Sequence, residues 1–553
     1  MSKKTNNSDT YDYVIVGSGF GGSVSALRLS EKGYKVLVIE KGRWYKNEDD
    51  FPKTSWDLRK YLWLPSLGWK GLMKISQFAH VGILSGIGVG GGSLVYASTL
   101  PIPNDKFYNS GSWKNLANWK EELTPYYDLA YKMLGAKKVD YEGEADKVWK
   151  TLVKDLGKEA KYERTKVGVF MGEPGTEVDD PYFDGEGPRR KGCIYCASCS
   201  IGCRHNAKNS LDKNYLYLAQ NLGCEIMADS LVTAVNPLDK NGASGYEITY
   251  RNTYSRIGKR KKVRANGVIF SGGVLGTVEL LLEMKHKNIL PKLSKRLGMF
   301  IRTNSESLLT VTNLNGTKSF TDGVQIGSII HTDENTHIEP NTLGTGNGFA
   351  RIITFPILAF GKNLPIRIWQ HFIEFAKAPI DFFKAFLVND FGRHTIVLLF
   401  MQTLEGTMSF KKKTFGRGMK SVLGKGEKPK AFIPFAKEIA HKIEHIIDGK
   451  AGQQVLQTVF GSASTAHILG GCCMGETSDE GVIDRDNKVF GYHNMYVFDG
   501  SMISSNPGVN PSLSITAIAE HGMSKIPFKK DSIEQKMTGS NDLSNEKFSR
   551  HIN

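Results

Sequence analysis

The sequence has little that would anchor the chain in a membrane or staple it shut. No stretch offers the ~18 consecutive apolar residues that a membrane-crossing helix needs. The opening Met1–Thr10 is polar and runs straight into an apolar strand, without the apolar core of a secretory leader. Cysteine is scarce, at seven in 553 residues. Without an export signal, that favours metal ligands or reduced thiols over a disulfide framework, and a chain this long can bury a full core unaided. No repeat of solenoid period is present, which excludes a stacked-repeat architecture. A focused basic patch is also missing. Lys and Arg number 72 against 56 Asp and Glu, a net +16, yet no nucleic-acid recognition motif concentrates that charge. The densest run, Lys259-Arg260-Lys261-Lys262, lies between two strand-like segments and reads as a solvated hairpin turn. No nucleic-acid partner is expected. The excess charge does suit anionic lipid headgroups, and the expected location is cytoplasmic.

Glycine is abundant, with 59 residues, and it clusters. Tyr11–Val16 is an apolar run of strand length, followed by Gly17-Ser18-Gly19-Phe20-Gly21-Gly22 and a helical pattern through Leu29. Gly33 ends that helix, and Val36–Ile39 forms a second strand closing on Glu40. Gly17, Gly19 and Gly22 satisfy the dinucleotide fingerprint: a tight turn, close backbone approach to a pyrophosphate, and close helix–strand packing. Phe20 opens the helix whose positive end faces the phosphates. Glu40 stands where a carboxylate accepts both ribose hydroxyls and repels a 2′-phosphate. A second cluster, Gly88-Val89-Gly90-Gly91-Gly92-Ser93, is too glycine-dense for a buried element unless a ligand passes close by. It fits a loop laid over a flavin ring and its diphosphate, which favours FAD over NAD.

The last hundred residues carry a third set: Ala466–Cys472 with His467, Val497–Ser501 with Asp499 and Gly500, and Gly508-Val509-Asn510-Pro511. A nucleotide fingerprint at one end and polar side chains on glycine-rich turns at the other imply that the two ends meet. Oxidising an alcohol at a flavin requires the carbinol carbon near the hydride acceptor and a group that takes the hydroxyl proton. Neutral His467 can accept that proton, directly or through a water. Asn510 can orient the hydroxyl or meet the flavin, and Pro511 stiffens its turn.

With these residues in hand, the chain resembles the glucose–methanol–choline (GMC) family of FAD oxidoreductases, and within it the cholesterol oxidases of mycobacterial type. The resemblance runs from Tyr11 to about Ile526. It includes Ser55–Lys60, Gly88–Tyr96, Gly192–Asn209, Arg302–Glu306, His337–Pro340, His467–Gly471 and Asn510–Ile515. It implies an α/β fold: a Rossmann-like FAD-binding domain interleaved with an α+β substrate domain on a mostly antiparallel sheet. On that pattern the FAD domain takes residues 11–45, 78–104, 190–303 and 462–527. The substrate domain takes 46–77, 105–189 and 304–461, with tails at 1–10 and 528–553. The resemblance also implies oxidation of a sterol-like secondary alcohol, a 3β-hydroxysteroid, by hydride transfer to flavin. His467 and Asn510 fall on the family's active-site pair, Asp499 and Gly500 on the C-terminal flavin contact, and Val232 on the backbone contact to adenine. Tyr96 departs from the pattern, standing where the family carries Asn. Glu339 matches the steroid-site glutamate, which could also shift a double bond after oxidation. Glu306 is its rival.

Two features leave alternatives open. Cys193-x2-Cys196-x2-Cys199-x3-Cys203 has the spacing of an iron–sulfur run. It could instead hold zinc or be four reduced thiols. An iron–sulfur cluster would fit a dehydrogenase for another lipid alcohol that passes electrons to a quinone or protein, whereas an oxidase would return them to O2. A non-catalytic flavin electron carrier or lipid-binding protein is the rival from another class. Residues 355–388, rich in Phe, Ile, Leu and Trp with Lys362, Arg367, Lys377 and Lys384 interleaved, read either as an amphipathic lid peripheral to a membrane or as a core helix pair.

Overall fold

The apolar run after Thr10 forms strand β1 (Thr10–Val16), Gly19 caps helix α1 (Phe20–Glu31), and β2 (Val36–Ile39) returns parallel to β1. Strands β3 (Glu225–Met227), β4 (Ser230–Pro237), β5 (Tyr246–Asn252) and β6 (Lys261–Phe270) complete the sheet, in the order β3-β2-β1-β6-β5-β4. The short strand Met495–Val497 pairs in parallel with the end of β6. Val16 is level with both Ile39 and Phe270. Gly17, Glu40 and Ser271 therefore emerge side by side from the carboxyl ends of three parallel strands. That is the crevice in which doubly wound sheets bind nucleotides. This is a computed structural model, and it describes residues 10–157, 160–255, 258–416, 418–424 and 427–530. The polar segment from Asp531, expected to be disordered, lies outside the described residues, as do the first nine.

The two chain ends are tied together in the core. The Ser512–Ser524 helix packs on α1. Arg28 of α1 donates to Glu520 through Nε (2.7 Å) and Nη2 (3.0 Å), and the Tyr215 hydroxyl donates to the same carboxylate (2.7 Å). A bidentate arginine–carboxylate pair fixes orientation as well as distance.

A second sheet is antiparallel throughout. Strands β7 (Ser307–Asn313), β8 (Ser328–Asp333), β9 (Thr336–Thr342), β10 (Thr395–Gln402) and β11 (Gly449–Gln454) lie in the order β11-β7-β10-β9-β8. Their alternation is clean. Leu309, Val311, Ile338, Ile396, Leu398 and Phe400 point to one face, in a core shared with the helices Glu144–Leu156 and Pro434–Ile447. Leu308, Thr310, Val397 and Leu399 point to the other face and line a large cavity against the first sheet. A register slip of one residue would exchange the two faces, so burial on both sides fixes the pairing.

Residues 364–387 form two helices, α2 (Leu364–Lys377) and α3 (Pro379–Leu387). They are not a core pair: Trp369, Phe372 and Ile380 are 62%, 63% and 68% exposed. Of the interleaved cations, Arg367 turns inward, and its guanidinium donates to the carbonyls of Thr458, Gly361 and Val459. Among the described residues no helix is long and apolar enough to cross a membrane.

Candidate active site

The cavity has a volume of about 1070 Å³ and runs from the β1–α1 turn to the antiparallel sheet. Its first end is made of backbone. Gly17 has φ 102°, and a Cβ there would lie 2.4 Å from the Ser271 carbonyl oxygen. A Cβ on Gly22 would lie 2.3 Å from the Gly17 carbonyl oxygen, so that glycine serves helix packing. Gly19 differs: its nearest neighbour would be the Ser271 carbonyl oxygen at 3.9 Å, and the space before it is open. The second glycine cluster folds onto the first. Gly88, Gly90 and Gly91 all have positive φ, and a Cβ on Gly91 would sit 2.8 Å from Gly19 Cα. A crevice walled by glycine backbone beneath a helix N-terminus suits a diphosphate.

Most of the residues expected at this end line the cavity: Gly17, Gly19, Phe20, Glu40, Gly91 and Gly92 from the two glycine loops, and Val232, Asp499, Gly500 and Pro511 from later segments. Glu40 is held ready by Ser18 N–H (3.0 Å) and Oγ (2.9 Å) on one oxygen and by Gly42 N–H (2.8 Å) on the other. Val232 stands at a bulge in β4, where the pairing with β5 shifts. Burial pushes the Asp499 carboxyl's pKa up despite donors from Ser501 and Thr277. Gly88 and Ser93 do not reach the cavity wall. A Cβ on Gly88 would strike Leu94 and Tyr45, and Ser93 Oγ donates to the Gly90 carbonyl (2.7 Å) while accepting from Leu211 N–H (3.0 Å). Both shape the loop from behind. Tyr96, the departure from the family pattern, lines the cavity with its ring edge-on to Phe20.

The second end is made of side chains. His467 and Asn510 both line the cavity. Just before His467, the Ala463–Thr465 strand pairs with Val81–Ile83. His467 Nδ1 lies 3.1 Å from Glu306 Oε2, and that carboxylate also accepts from Thr465 Oγ1 (2.7 Å) and Ala466 N–H (3.2 Å). Glu306 is fully buried. Burial pushes the His467 pKa down, but the Glu306 carboxylate, helped by Glu339, outweighs it and the net shift is upward. Asn510 Nδ2 donates to Glu339 Oε2 (3.2 Å), and His337 Nε2 lies 2.7 Å from Glu339 Oε1. Glu339 is fully buried and sits behind Asn510 instead of on the cavity wall. Burial lowers the His337 pKa and outweighs the pull of Glu339, so His337 is a neutral partner.

Glu306 and Glu339 are thus not rivals for one position. Each backs a different polar side chain. The sequence reasoning gave no role to Thr465 or His337. For His337 a signal was there: His337, Glu339 and Asn341 alternate along β9 and share a face.

The structure lends no support to the iron–sulfur expectation for the cysteine run or to the zinc alternative. Among the described residues no group of three or more His, Cys, Asp or Glu side chains is placed to hold a metal ion. Burial raises the thiols of Cys193, Cys196 and Cys199, the last to about 11. Cys193 packs in a small apolar cluster with Val139, Val167 and Val169, and its sulfur accepts from Tyr195 N–H (3.4 Å). Left-handed backbone at Tyr195 and Ala197 twists the loop between the cysteines. Cys203 is partly buried.

The two sheets, the glycine-lined crevice and the His/Asn pair define a class. Residues 188–297 and 414–519 match the GMC oxidoreductase family, and residues 15–49 match the NAD(P)-binding Rossmann-like domain. The chain belongs to the GMC oxidoreductases and is an FAD-dependent alcohol oxidoreductase. It is 39% identical over 543 residues to a cholesterol oxidase of Acinetobacter baumannii, spanning 97% of both chains. It is 40% identical over 533 residues to a cholesterol oxidase of Mycobacterium tuberculosis, spanning 94% of this chain and 91% of that one. Pyridoxine 4-oxidase from Mesorbium loti shares the fold, with a TM-score of 0.61 at 14% identity, covering 93% of this chain and 98% of that one.

Proposed function

We propose that the protein oxidises a 3β-hydroxysteroid or similar apolar secondary alcohol to the ketone and returns the electrons to O2. The observation that carries this reading is the composition of the cavity's second end: two polar side chains, each backed by a buried glutamate, at the edge of a wall formed by Leu308, Val397 and Leu399. An apolar ring system can lie on that wall while a single hydroxyl reaches His467 and Asn510. The likeness to two cholesterol oxidases supports the sterol class and O2 as acceptor.

Bound FAD supplies the hydride acceptor. His467, with Nδ1 engaged by Glu306, takes the hydroxyl proton at Nε2. The buried Glu306 makes that nitrogen a stronger base than an ordinary imidazole. Asn510 orients the hydroxyl and is itself held by Glu339. Gly17, Gly19, Glu40, Gly91, Gly92, Val232, Asp499 and Gly500 hold the cofactor. The exposed aromatic face of α2 and α3, bordered by Lys362, Lys377 and Lys384, rests on the lipid surface that supplies the alcohol.

The test is anaerobic mixing of the yellow holoenzyme with a panel of sterols and other lipid alcohols. Bleaching by 3β-hydroxysterols, followed by peroxide formation on admitting air, is expected. Bleaching by short or primary alcohols in preference to sterols contradicts the reading.

A further inference from the structure

The polar side chains that line the cavity do not stop at His467 and Asn510. Strands β7, β10 and β9 lie side by side, and their register sets residues of one face in rows: Leu308, Leu399 and Glu339 in one, Thr310, Val397 and Asn341 in the next. Asn341 has no part in accepting the hydroxyl proton. It is the one residue of β9 that is not buried, and it lines the cavity. A backbone group orients its amide. Ser200 N–H can only donate, so the side-chain oxygen of Gln325 must face it, and does so at 2.7 Å. That leaves the Gln325 side-chain nitrogen to donate, to Ser200 Oγ (3.0 Å) and to Asn341 Oδ1 (2.9 Å). Gln325 is 1% exposed, and its backbone carbonyl accepts from Thr342 N–H (2.9 Å), which ties it to β9. With Oδ1 engaged, Asn341 is left with Nδ2, and among the described residues no group accepts from it. Asn347 on the same wall differs: its Oδ1 accepts from Ser55 N–H (2.9 Å) and its Nδ2 donates to Ser198 Oγ (3.0 Å).

We propose that Asn341 is a specificity-determining residue, whose amide donates a hydrogen bond to an oxygen at the end of the ring system farthest from the reacting hydroxyl. The inference rests on the reading of the cavity as the site of a 3β-hydroxysteroid. Asn341 stands two residues beyond Glu339, which holds Asn510. It is level with Thr310, which stands four residues beyond Glu306, the partner of His467. At the rise of a strand those steps are about 7 Å and about 13 Å. A fused four-ring nucleus laid along β10 spans that interval, with its hydroxyl at His467 and Asn510 and its terminal five-membered ring beside Asn341. Leu308, Leu399 and Val397 cover the hydrocarbon in between. A ketone or hydroxyl oxygen on the terminal ring satisfies the remaining N–H of Asn341. A bare hydrocarbon there drives out water and leaves the donor without an acceptor, which is unfavourable. The site therefore favours steroids that carry a second oxygen over the same nucleus without one.

The experiment compares two 3β-hydroxysteroids that differ at one place: one carries a ketone on the terminal five-membered ring, and the other has that ring unsubstituted. Anaerobic flavin reduction is followed at varied steroid concentration, in wild-type holoenzyme and in Asn341→Leu. Leucine keeps the bulk of asparagine and offers no donor. The wild type should bind the keto steroid more tightly by roughly three- to tenfold, the worth of one neutral hydrogen bond, with the same limiting rate of reduction for both. Asn341→Leu should bind the two equally, through lost affinity for the keto steroid, and should keep its flavin and its limiting rate. Equal affinities in the wild type, or a preference that survives in Asn341→Leu, overturns the inference. So does a loss in the variant that is the same for both steroids, which marks a purely structural role. Should the variant not fold, the wild-type pair decides alone. The two readings fail separately: if neither steroid nor cholesterol bleaches the flavin, the alcohol reading falls, whereas bleaching by both steroids with equal affinity refutes only the role of Asn341.

Discussion

The cavity is built by opposite means at its two ends. At the cofactor end the wall is backbone: Gly17, Gly19, Gly91 and Gly92, with positive φ at Gly17 and Gly91 and other chain pressed against Gly17, Gly22 and Gly91. At the alcohol end it is side chains, His467 and Asn510, each hydrogen-bonded to a buried glutamate. A backbone wall tolerates no added atom, because the conformation itself is the recognition surface. A side-chain wall can lose a functional group and keep its shape. Changes at the first end should therefore act on cofactor retention and folding, and changes at the second on chemistry with the flavin still in place.

The largest effect expected is for Gly17→Ala. Its Cβ would lie 2.4 Å from a backbone carbonyl, and the left-handed φ alone costs about 1–3 kcal/mol. Protein lacking flavin absorbance, with a lowered Tm, is the expected outcome. A yellow, stable Gly17→Ala protein would break the comparison. Next is His467→Asn, which should retain full flavin absorbance while flavin reduction by sterol falls by about 10²–10⁴. Loss of flavin in that variant would mean that the two ends are not separable.

Glu306→Gln sharpens the second end. With the carboxylate present the His467 pKa is raised, so the rise of kcat/KM with pH, as the imidazole loses its proton, falls above the ordinary histidine range. Removing the charge takes away the main upward contribution. The rise should move to lower pH, and the plateau should drop as the imidazole becomes a weaker base. An unmoved acid limb would assign it to another group. The smallest effect on chemistry is expected at the exposed aromatic face. Trp369→Ser with Phe372→Ser should weaken binding to anionic vesicles about tenfold or more, leaving turnover of micellar substrate nearly unchanged. Unchanged vesicle binding would remove α2 from the lipid surface.

The same contrast explains what could be read from the chain alone. The cofactor end is a local pattern: strand, glycines, helix and Glu40 fall within thirty-one residues, Thr10 to Glu40. Its demands on φ and close approach leave glycine as nearly the sole solution, and that shows in composition. The antiparallel sheet was implied by family likeness, and the alternation of β7, β9 and β10 gives it a physical basis. The alcohol end is different. Glu306 and His467 are 161 positions apart and Glu339 and Asn510 are 171 apart. No local rule pairs a particular carboxylate with a particular partner across such distances, so both glutamates could be named as candidates but not distributed between His467 and Asn510. The cysteine run shows the converse hazard. Its spacing matches a cluster, but spacing carries no information about how the loop folds, and among the described residues no group of three or more ligating side chains is placed to hold a metal ion.

The central claim is that His467, set by Glu306, receives the hydroxyl proton of a sterol held on the β7–β10 wall. Anaerobic stopped-flow reduction of the flavin by cholesterol, with wild type and His467→Asn at equal flavin content, tests it most directly. Fast bleaching of the wild type and a loss of at least about a hundredfold in the variant is the result predicted. Equal bleaching rates in the two proteins, or a wild-type flavin that stays oxidised with every sterol offered, would contradict it.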